Sequence, residues 1–289
     1  MKFTKMQGLG NDYLYVFAAA LPPHVKALSK QLSDRHFGAG ADGMIFILPS
    51  DRADFMMRIF NADGSEAKMC GNGIRCVGKY VYDKGYTDKT RLTVETPAGI
   101  KTLLLHTAGG KVQTVTVDMG RVAVGAPQTV TATESTVRLT PVNMGKVTVC
   151  EPVTLTVCGQ ALTTTPVSVG NPHTVTFIPD AENAPLTTVG AALEHDAFFP
   201  EGVNAEFAQV LGENDLRMRV WERGSGITMA CGTGACATAA AAVKAGYCKI
   251  DEDISVRLDG GTLHIRVLPD YTVMMTGPAA TVCECEVDE

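Results

Sequence analysis

Short runs of alternating apolar and polar residues dominate the chain, a pattern typical of β-strands with one buried face. Helical spacing predicts helices at 25–33, near 187–194 and after each of two cysteines, Cys70 and Cys231. The alternating runs predict strands at 3–6, 13–17, 44–48, 55–60, within 91–124, within 146–157, and at 203–211, 215–221, 254–258, 262–267 and 280–287. The chain is therefore predicted to be a strand-rich α+β protein.

The two cysteine helices belong to an internal repeat. Stretches 57–86 and 218–247 match without a gap at a constant offset of 161 (231 − 70). In each stretch, a cysteine and a glycine turn precede a helix that ends at Gly85 or Gly246. A Gly-Asn pair recurs at 10–11 and 170–171 in the same way. We expect an ancient duplication with one buried helix in each half.

The repeat also predicts the domains. The halves join near Gly120, and the last strand, at 280–287, is expected to return and pair with the first half. The predicted domains are 1–120 plus 277–289, carrying Cys70, and 121–276, carrying Cys231.

Composition narrows the class of protein. A chain of 289 residues that is 45% apolar can bury a sizeable core, and a net charge of −6 gives no basic surface for nucleic acid. No apolar run is long enough to span a bilayer, and the first residues lack the apolar core of a signal peptide. Nine scattered cysteines favour thiols in a reducing, cytoplasmic setting over a disulfide scaffold.

A cysteine at a helix N-terminus has a chemical use. The unpaired N–H groups there favour anions, here a thiolate and a bound carboxylate, and nearby glycines let the backbone approach a ligand. The effect of roughly 0.3–2 kcal/mol predicts a thiol pKa that moves from ~8.5 toward ~7–8. Two such thiols suggest that Cys70 and Cys231 remove and return a proton on opposite faces of one carbon.

Other interpretations of the cysteines stay open at this point. A thiol redox or binding protein would instead form a reversible disulfide between Cys70 and Cys231. A zinc site lacks any C-x-x-C pair, and no nucleotide-binding glycine motif is present. Cys76 and Cys236 lie inside the helices, where packing is the expected role. A structural role is expected for the other five: Cys150, Cys158, Cys248, Cys283 and Cys285.

Together, six segments resemble the diaminopimelate epimerase family nearly end to end: 8–12, 60–66, 70–76, 170–173, 222–224 and 230–236. The resemblance implies two pseudo-symmetric α+β domains, each a strand-rich roll or barrel around a central helix, with the site in the cleft between them. It implies a homodimeric isomerase that interconverts LL- and meso-2,6-diaminopimelate for lysine biosynthesis and peptidoglycan supply. It also implies that neither pyridoxal phosphate nor a metal is needed.

The resemblance further implies the roles of individual residues. Cys70 matches the proton donor and Cys231 the acceptor in the LL-to-meso direction, while His173 and Glu222 match the pair that tunes and places the thiols. The positions that match ligand-holding residues are Asn11, Asn61, Gly71, Asn72, Asn171, Asn204, Glu222, Arg223, Gly232 and Thr233. Arginine suits the second carboxylate of the substrate because its guanidinium donates two parallel hydrogen bonds.

Three positions depart from the commonest family pattern. Gly43 stands where many members carry a ligand-contacting glutamine, Thr174 where cysteine is frequent, and Ile227 where glutamate is frequent. Proline and hydroxyproline racemases share the fold and the two cysteines and are the rival enzymes. Asn72, where proline racemases carry histidine, favours the epimerase.

Overall fold

The computed structural model describes residues 1–123, 146–149 and 151–287. The chain forms two compact units: unit 1 comprises Met1–Asp118 with Thr276–Glu289, and unit 2 comprises Met119–Met275. Cys150, one of the cysteines predicted to have a structural role, lies outside the described residues. Cys76, Cys236 and Cys248 are buried as expected, whereas Cys158 and Cys283 are exposed, so burial does not explain them.

Unit 1 is a strand-rich fold with two α-helices among its described residues, and one of the two is almost wholly buried. Parallel pairing joins the second strand to the third and the fourth to the sixth, and the other neighbours are antiparallel. The elements are β1 (Lys2–Gly8), β2 (Asn11–Phe17), α1 (Val25–Ser33), β3 (Gly43–Leu48), β4 (Phe55–Asn61), β5 (Glu66–Ala67), α2 (Gly71–Asp83), β6 (Arg91–Thr96), β7 (Gly99–Ala108) and β8 (Lys111–Ala123), which continues into unit 2.

Unit 2 repeats this plan. The elements are β9 (Lys146–Val149), β10 (Val153–Val157), β11 (Gln160–Ser168), β12 (Pro172–Phe177), α3 (Ala191–Glu194), β13 (Asn204–Gly212), β14 (Asp215–Glu222), β15 (Gly226–Ile227), α4 (Gly232–Lys244), β16 (Asp253–Leu258), β17 (Gly261–Val267) and β18 (Thr272–Pro278), which continues into unit 1. The final strand, β19 (Ala280–Glu286), belongs to unit 1 and pairs antiparallel with β1, which confirms the predicted return.

The register shows how closely the two units correspond. Met44 pairs with Phe60 between β3 and β4, and the residues 161 positions later, Ala205 and Trp221, pair between β13 and β14. Strands β12 and β13 are parallel like β2 and β3, and β14 and β16 like β4 and β6. Because a one-residue slip would turn every side chain to the other face, equal register places equivalent side chains at equivalent sites.

Each unit surrounds its long helix with strands. In α2, Ile74, Val77 and Val81 are fully buried, at the spacing that the sequence predicts. A Cβ at Gly78 would lie 2.8 Å from a Leu105 methyl group, so this glycine lets the helix approach β7 closely. In α4, alanines fill the enclosed positions because Ala combines a small volume with the highest helix propensity.

Both long helices end in the same way. Gly85 and Gly246 adopt left-handed conformations, with φ of 76° and 78°. The following tyrosines, Tyr86 and Tyr247, donate their N–H groups to Val81 and Ala242 carbonyls at 2.9 Å, the closure of a Schellman motif. The Tyr86 ring stacks on Phe17 and the Tyr247 ring meets Phe177 edge-on, at the ends of β2 and β12.

Some elements differ from the sequence prediction. The helix expected near 187–194 is a π-helical turn over Leu186–Gly190 followed by α3. A Cβ at Gly190 would lie 2.9 Å from Trp221 Cβ, so packing against β14 fixes this irregular turn. Strand β18 has no counterpart among the predicted strands. In the described part of the chain, no helix is long and apolar enough to cross a membrane.

Candidate active site

Cys70 is the N-cap residue of α2, and its sulfur accepts a hydrogen bond from the first turn of that helix. The Gly73 N–H donates to Cys70 Sγ at 3.3 Å, and the Ile74 N–H donates to the Cys70 carbonyl at 2.9 Å. The Cys70 backbone is extended, as N-cap geometry requires. By helix geometry, the N–H groups of Gly71 and Asn72 point out of the same end. The sequence prediction of a capping cysteine is confirmed.

Asn11 orients this thiol. Cys70 Sγ donates to Asn11 Oδ1 at 3.3 Å, while Asn11 Nδ2 donates to Asp42 Oδ2 at 2.7 Å. Asp42 is held in turn by Arg35 Nη2, which donates to its other oxygen at 2.9 Å. Because a carboxylate only accepts, it fixes which end of the Asn11 amide faces the sulfur.

Tyr13 is a further neighbour of Cys70. Its ring is almost fully buried, and its hydroxyl lies within hydrogen-bonding reach of Asn11 and Cys70. Burial raises the pKa of Tyr13 far above its ordinary value, and the negative charges that Cys70 and Asp42 carry when ionised act in the same direction. The phenol therefore stays protonated and can serve as a neutral donor beside the thiol.

Cys231 caps α4 with the same geometry. The Gly234 N–H donates to Cys231 Sγ at 3.3 Å, and the Ala235 N–H donates to the Cys231 carbonyl at 2.9 Å. The Thr233 hydroxyl lies 3.5 Å from the same sulfur. The duplication therefore reproduces the contact between thiol and helix end in both units.

The protonation of Cys231 corrects the sequence analysis. The predicted lowering of its pKa is wrong: burial raises the pKa of this thiol well above its ordinary value, and the charges of Glu222 and Glu206 raise it further. The Thr233 and Gly234 hydrogen bonds act in the opposite direction but do not compensate. Cys231 is only 6% exposed, and desolvation of a thiolate outweighs the attraction of one helix terminus. Cys231 is therefore held as a neutral thiol.

A chain of hydrogen bonds runs from Cys231 into the core of unit 2. Asn171 Nδ2 donates to Thr233 Oγ1 at 3.4 Å, and Asn171 Oδ1 lies 3.1 Å from His173 Nε2. The other ring nitrogen, Nδ1, lies 2.6 Å from Glu206 Oε1. His173 and Glu206 are both 0% exposed. Two residues that the sequence analysis placed at the site, Asn171 and His173, thus join Cys231 through Thr233.

Glu222 and Arg223 end strand β14. Glu222 accepts a hydrogen bond from the Thr228 hydroxyl, and its charge contributes to the raised pKa of Cys231. The exposed Arg223 side chain lies across Gly202, where a Cβ would approach Arg223 Cδ to 2.9 Å. Its Nη1 donates to the Glu201 carbonyl at 2.6 Å. The exposed part of this guanidinium can receive a carboxylate.

Glu194 holds the turn that carries these two residues. Its Oε1 accepts from the Gly224 N–H at 2.8 Å and its Oε2 from Trp221 Nε1 at 2.7 Å. Burial alone would raise the pKa of Glu194, but the donors Trp221 and Gly224 lower it below its ordinary value. Glu194 is thus an ionised acceptor that joins α3 to the β14–β15 turn.

The remaining asparagines have structural contacts. Asn61 Nδ2 donates to Ser65 Oγ at 3.0 Å and closes the turn after β4. The buried Asn204 amide donates to the Pro172 carbonyl at 3.0 Å and accepts from the Arg223 N–H at 2.9 Å. Asn72 is buried in the first turn of α2. Ligand contacts by these three side chains stay predictions.

The three departures from the family pattern have distinct surroundings. A Cβ at Gly43 would lie 2.3 Å from the Phe60 carbonyl oxygen and 2.9 Å from Asn61 Cα, so β3 and β4 leave no room for a side chain there. The Thr174 hydroxyl shares a buried 2.6 Å hydrogen bond with Thr164. Ile227 is exposed on β15.

Sequence reasoning missed four residues that support the site: Tyr13, Asp42, Glu194 and Glu206. The internal repeat could have indicated Tyr13, because Tyr13 lies 160 positions before the predicted site residue His173 (173 − 13). Nothing in the local sequence indicated that Glu206 is buried against His173. In the described residues, no group of three or more His, Cys, Asp or Glu side chains could hold a metal ion.

Comparison with known proteins identifies the family. The family model for diaminopimelate epimerase matches residues 3–124 and 165–282. A diaminopimelate epimerase of Phocaeicola vulgatus is 50% identical, over 100% of this chain and 98% of its own. Those of Methanococcus maripaludis (100% of both chains) and Bacillus subtilis (98% of this chain, 97% of its own) are each 48% identical.

Solved structures support the fold. A probable proline racemase from Agrobacterium radiobacter has a TM-score of 0.68 at 15% identity, over 99% of this chain and 92% of its own. A hydroxyproline epimerase from Agrobacterium vitis scores 0.66 at 16% identity, over 99% and 90%. At such low identity these racemases share the fold alone, whereas the relatives that are about half identical share the family. The chain therefore belongs to the diaminopimelate epimerase family and is an isomerase.

Proposed function

We propose that this protein interconverts LL- and meso-diaminopimelate by proton transfer between two thiols and one α-carbon. One thiolate takes the α-hydrogen as a proton and leaves the electron pair on carbon, and the other thiol gives its proton to the opposite face. The sulfurs then exchange protonation states, and the stereocentre is inverted. One observation carries the proposal: Cys70 and Cys231 cap equivalent helices, each with a glycine N–H 3.3 Å from its sulfur.

The helix ends can support the charge that develops. Proton removal makes a carbanion beside the substrate carboxylate, and preorganised N–H donors stabilise such charge more in a dry site than in water. The N–H groups of Gly71 and Asn72, and those of Gly232 and Thr233, point out of the two helix ends by helix geometry. These groups would receive the carboxylate next to the reacting carbon.

The raised pKa of Cys231 suits the role of proton acceptor. An α-hydrogen is weakly acidic, so its removal needs a strong base, and a thiolate is a stronger base when its conjugate thiol holds the proton more tightly. Cys231 must lose its proton before each LL-to-meso turnover. Cys70 must carry the proton that it donates in that direction. In the reverse direction the roles exchange, and Cys231 starts as the proton donor.

Substrate length is the basis for selectivity. Diaminopimelate carries a second amino-acid end that does not react, and the exposed guanidinium of Arg223 can bind its carboxylate. Asn61 and Glu222 are proposed to meet the ammonium and carboxylate groups of the ligand. Proline has a single carboxylate, the one next to the reacting carbon, and so has no second carboxylate for Arg223.

The cellular setting is part of the proposal. The activity would serve lysine biosynthesis and peptidoglycan precursor supply in the cytoplasm, with the protein as a homodimer that binds neither nucleic acid nor membrane. The net charge of −6 supports the absence of a nucleic-acid partner. Sedimentation equilibrium that gives a monomer mass at micromolar concentration would contradict the dimer.

Turnover in deuterium oxide tests the activity and the mechanism. The protein is incubated with LL-diaminopimelate and, separately, with L-proline, and deuterium at each α-carbon is followed by NMR. We expect label at an α-carbon of diaminopimelate and none in proline. Exchange of proline alone would overturn the substrate assignment.

Substitution of the thiols separates the mechanism from the activity. We expect Cys70→Ser and Cys231→Ser each to lower kcat by at least about 100-fold, since a hydroxyl is a far weaker acid than a thiol. Cys158→Ser, which changes an exposed cysteine in the β10–β11 turn, is the matched control and should retain full activity. Full epimerase activity in either catalytic variant would overturn the two-thiol mechanism while leaving the family assignment in place.

A further inference from the structure

Glu206 is a buried carboxylate whose position packing alone does not explain. It is 0% exposed, and one of its oxygens, Oε2, has no hydrogen-bond partner among the described residues. The other oxygen, Oε1, lies 2.6 Å from His173 Nδ1. Burying a carboxylate is costly unless a charged or hydrogen-bonding partner compensates, so the contact with His173 determines whether Glu206 is tolerated.

The carboxylate lies beneath the helix end that carries Cys231. Strands β12 and β13 are parallel, with His173 beside Asn204, and Glu206 follows two residues later on the same face. A Cβ at Gly234 would lie 2.8 Å from Glu206 Oε1 and 3.2 Å from Cys231 Sγ. The carboxylate and the sulfur therefore flank the same glycine, and any side chain at this position would displace one of them.

The hydrogen-bond directions fix where the protons lie. Asn171 Nδ2 donates to Thr233, so Asn171 Oδ1 faces His173 Nε2 and must accept from it. Nε2 therefore carries a hydrogen. A second proton lies between His173 Nδ1 and Glu206 Oε1, 2.6 Å apart. Whichever atom holds it, the buried pair has no net charge, and burial, which raises the pKa of Glu206, favours that state.

We propose that Glu206 is a positioning residue for Cys231. It fixes the orientation and protonation of the His173 ring, and thereby the Asn171 amide and the Thr233 hydroxyl that contacts the sulfur. This inference rests on the proposed proton-transfer role of Cys231 but assigns a function to a carboxylate outside the thiols and the ligand-binding positions. Without Glu206 the His173 ring can rotate, and the Asn171 amide and the Thr233 hydroxyl then no longer hold the Cys231 thiol in place.

Paired substitutions separate positioning from packing. Glu206→Leu removes the contact with His173 Nδ1, and we expect kcat to fall about 10- to 100-fold with little change in KM, as for a misplaced catalytic group. Glu206→Gln keeps the shape, and its amide N–H can donate to Nδ1, so we expect recovery of most of the lost kcat. Wild-type kcat in the leucine variant, or equal loss in both variants, would overturn the proposal.

Thr164→Val is the matched control. It removes one buried hydrogen bond from unit 2, that with Thr174, without touching the chain from Glu206 to Cys231. We expect it to lower the melting temperature while kcat and its pH profile stay as in the wild type. A loss of kcat equal to that of Glu206→Leu would show that core damage, not positioning, explains the effect.

A spectroscopic readout needs no substrate, so it also tests the proposal if the two-thiol mechanism fails. Histidine is labelled with ¹⁵N in the full-length protein, and the His173 signals are assigned among six histidines by their loss in His173→Gln. We expect a hydrogen on Nε2 in the wild type and in Glu206→Gln. A ring with its only hydrogen on Nδ1 in the wild type would overturn the proposal, even if Glu206→Leu does not fold.

Discussion

Tyr13 and His173 occupy equivalent positions in the two units, each two residues after the asparagine that supports a thiol. The Tyr13 hydroxyl lies beside Asn11 and Cys70, whereas the ring of His173 contacts Asn171 and Glu206. The helix ends are alike, but the groups behind them differ. A neutral phenol supports one sulfur, and a buried ring that shares a proton with a carboxylate supports the other.

The Tyr13 hydroxyl should contribute to catalysis. Tyr13→Phe removes a hydroxyl that lies within hydrogen-bonding reach of Cys70. A hydrogen bond contributes about 0.5–1.5 kcal/mol, so we expect kcat to fall about two- to tenfold. Steady-state kinetics with LL-diaminopimelate measure this. Tyr80→Phe, at a buried ring later in α2, is the control and should leave kcat unchanged. Equal kcat for the wild type and Tyr13→Phe would assign the hydroxyl a purely structural role.

Restoration of the common glutamine at position 43 should fail. Gly43→Gln places a Cβ 2.3 Å from the Phe60 carbonyl oxygen, so β3 and β4 must separate, and we expect a loss of unfolding free energy of more than about 2 kcal/mol. Urea denaturation measures it. Gly212→Gln, where a Cβ meets nothing within 4 Å, should change stability by less than about 0.5 kcal/mol. A stable Gly43→Gln protein would show that the strand pair can adapt.

Stability should fall in alkaline solution through Cys76. Burial raises the pKa of this thiol from 9.0 to about 11, so between these pH values the folded state retains a proton that the unfolded chain has lost. The free energy of unfolding therefore decreases as the pH rises through this window, by about 2 kcal/mol at pH ~10.5.

Urea denaturation at pH ~8 and ~10.5 isolates this contribution. In Cys76→Ala the alkaline loss should be smaller than in the wild type by that amount. Cys158→Ala, at an exposed thiol, should show the full wild-type loss. Identical losses in the wild type and Cys76→Ala would mean that other groups determine the alkaline limit.

Glu194 should govern substrate affinity more than the chemical step. In Glu194→Gln, one side-chain oxygen becomes an NH2 group that faces a donor, either Trp221 Nε1 or the Gly224 N–H, at a cost of about 1–3 kcal/mol. The turn that bears Arg223 then shifts, so we expect KM for diaminopimelate to rise several-fold with a smaller change in kcat. Glu213→Gln, in the exposed β13–β14 turn, should change neither. A loss confined to kcat would contradict this assignment.

Much of the fold could be predicted because local signals agree with tertiary packing. Apolar alternation located most strands, and α1 lies where the sequence predicts it. The gapless repeat located α2 and α4, since the glycine turn, the buried face and the glycine stop all recur. The helix near 187–194 was predicted as regular, whereas its first half, with two threonines, a valine and a glycine of low helix propensity, forms a π-helical turn in which Gly190 packs against Trp221.

The site was predictable only in part. The capping cysteines and Asn11, Asn171 and His173 follow from the repeat and the family resemblance. The pKa of Cys231 was predicted in the wrong direction because a sequence shows the helix terminus but not the burial around it. Glu206 was not predicted because it lies 33 residues from its partner His173 in the sequence. Only the parallel pairing of β12 with β13 brings the two side chains together.

The unlike surroundings of the two sulfurs bear on covalent inhibition. Cys231 Sγ has the Thr233 hydroxyl 3.5 Å away, whereas Cys70 Sγ has the Asn11 amide oxygen and the Tyr13 phenol as neighbours. An electrophile with a polar group that hydrogen-bonds to Thr233 would therefore be placed to react with Cys231. An electrophilic group designed for one set of neighbours would modify one sulfur and leave the other unmodified. Selective labelling of this kind would arrest the enzyme with a single modified side chain.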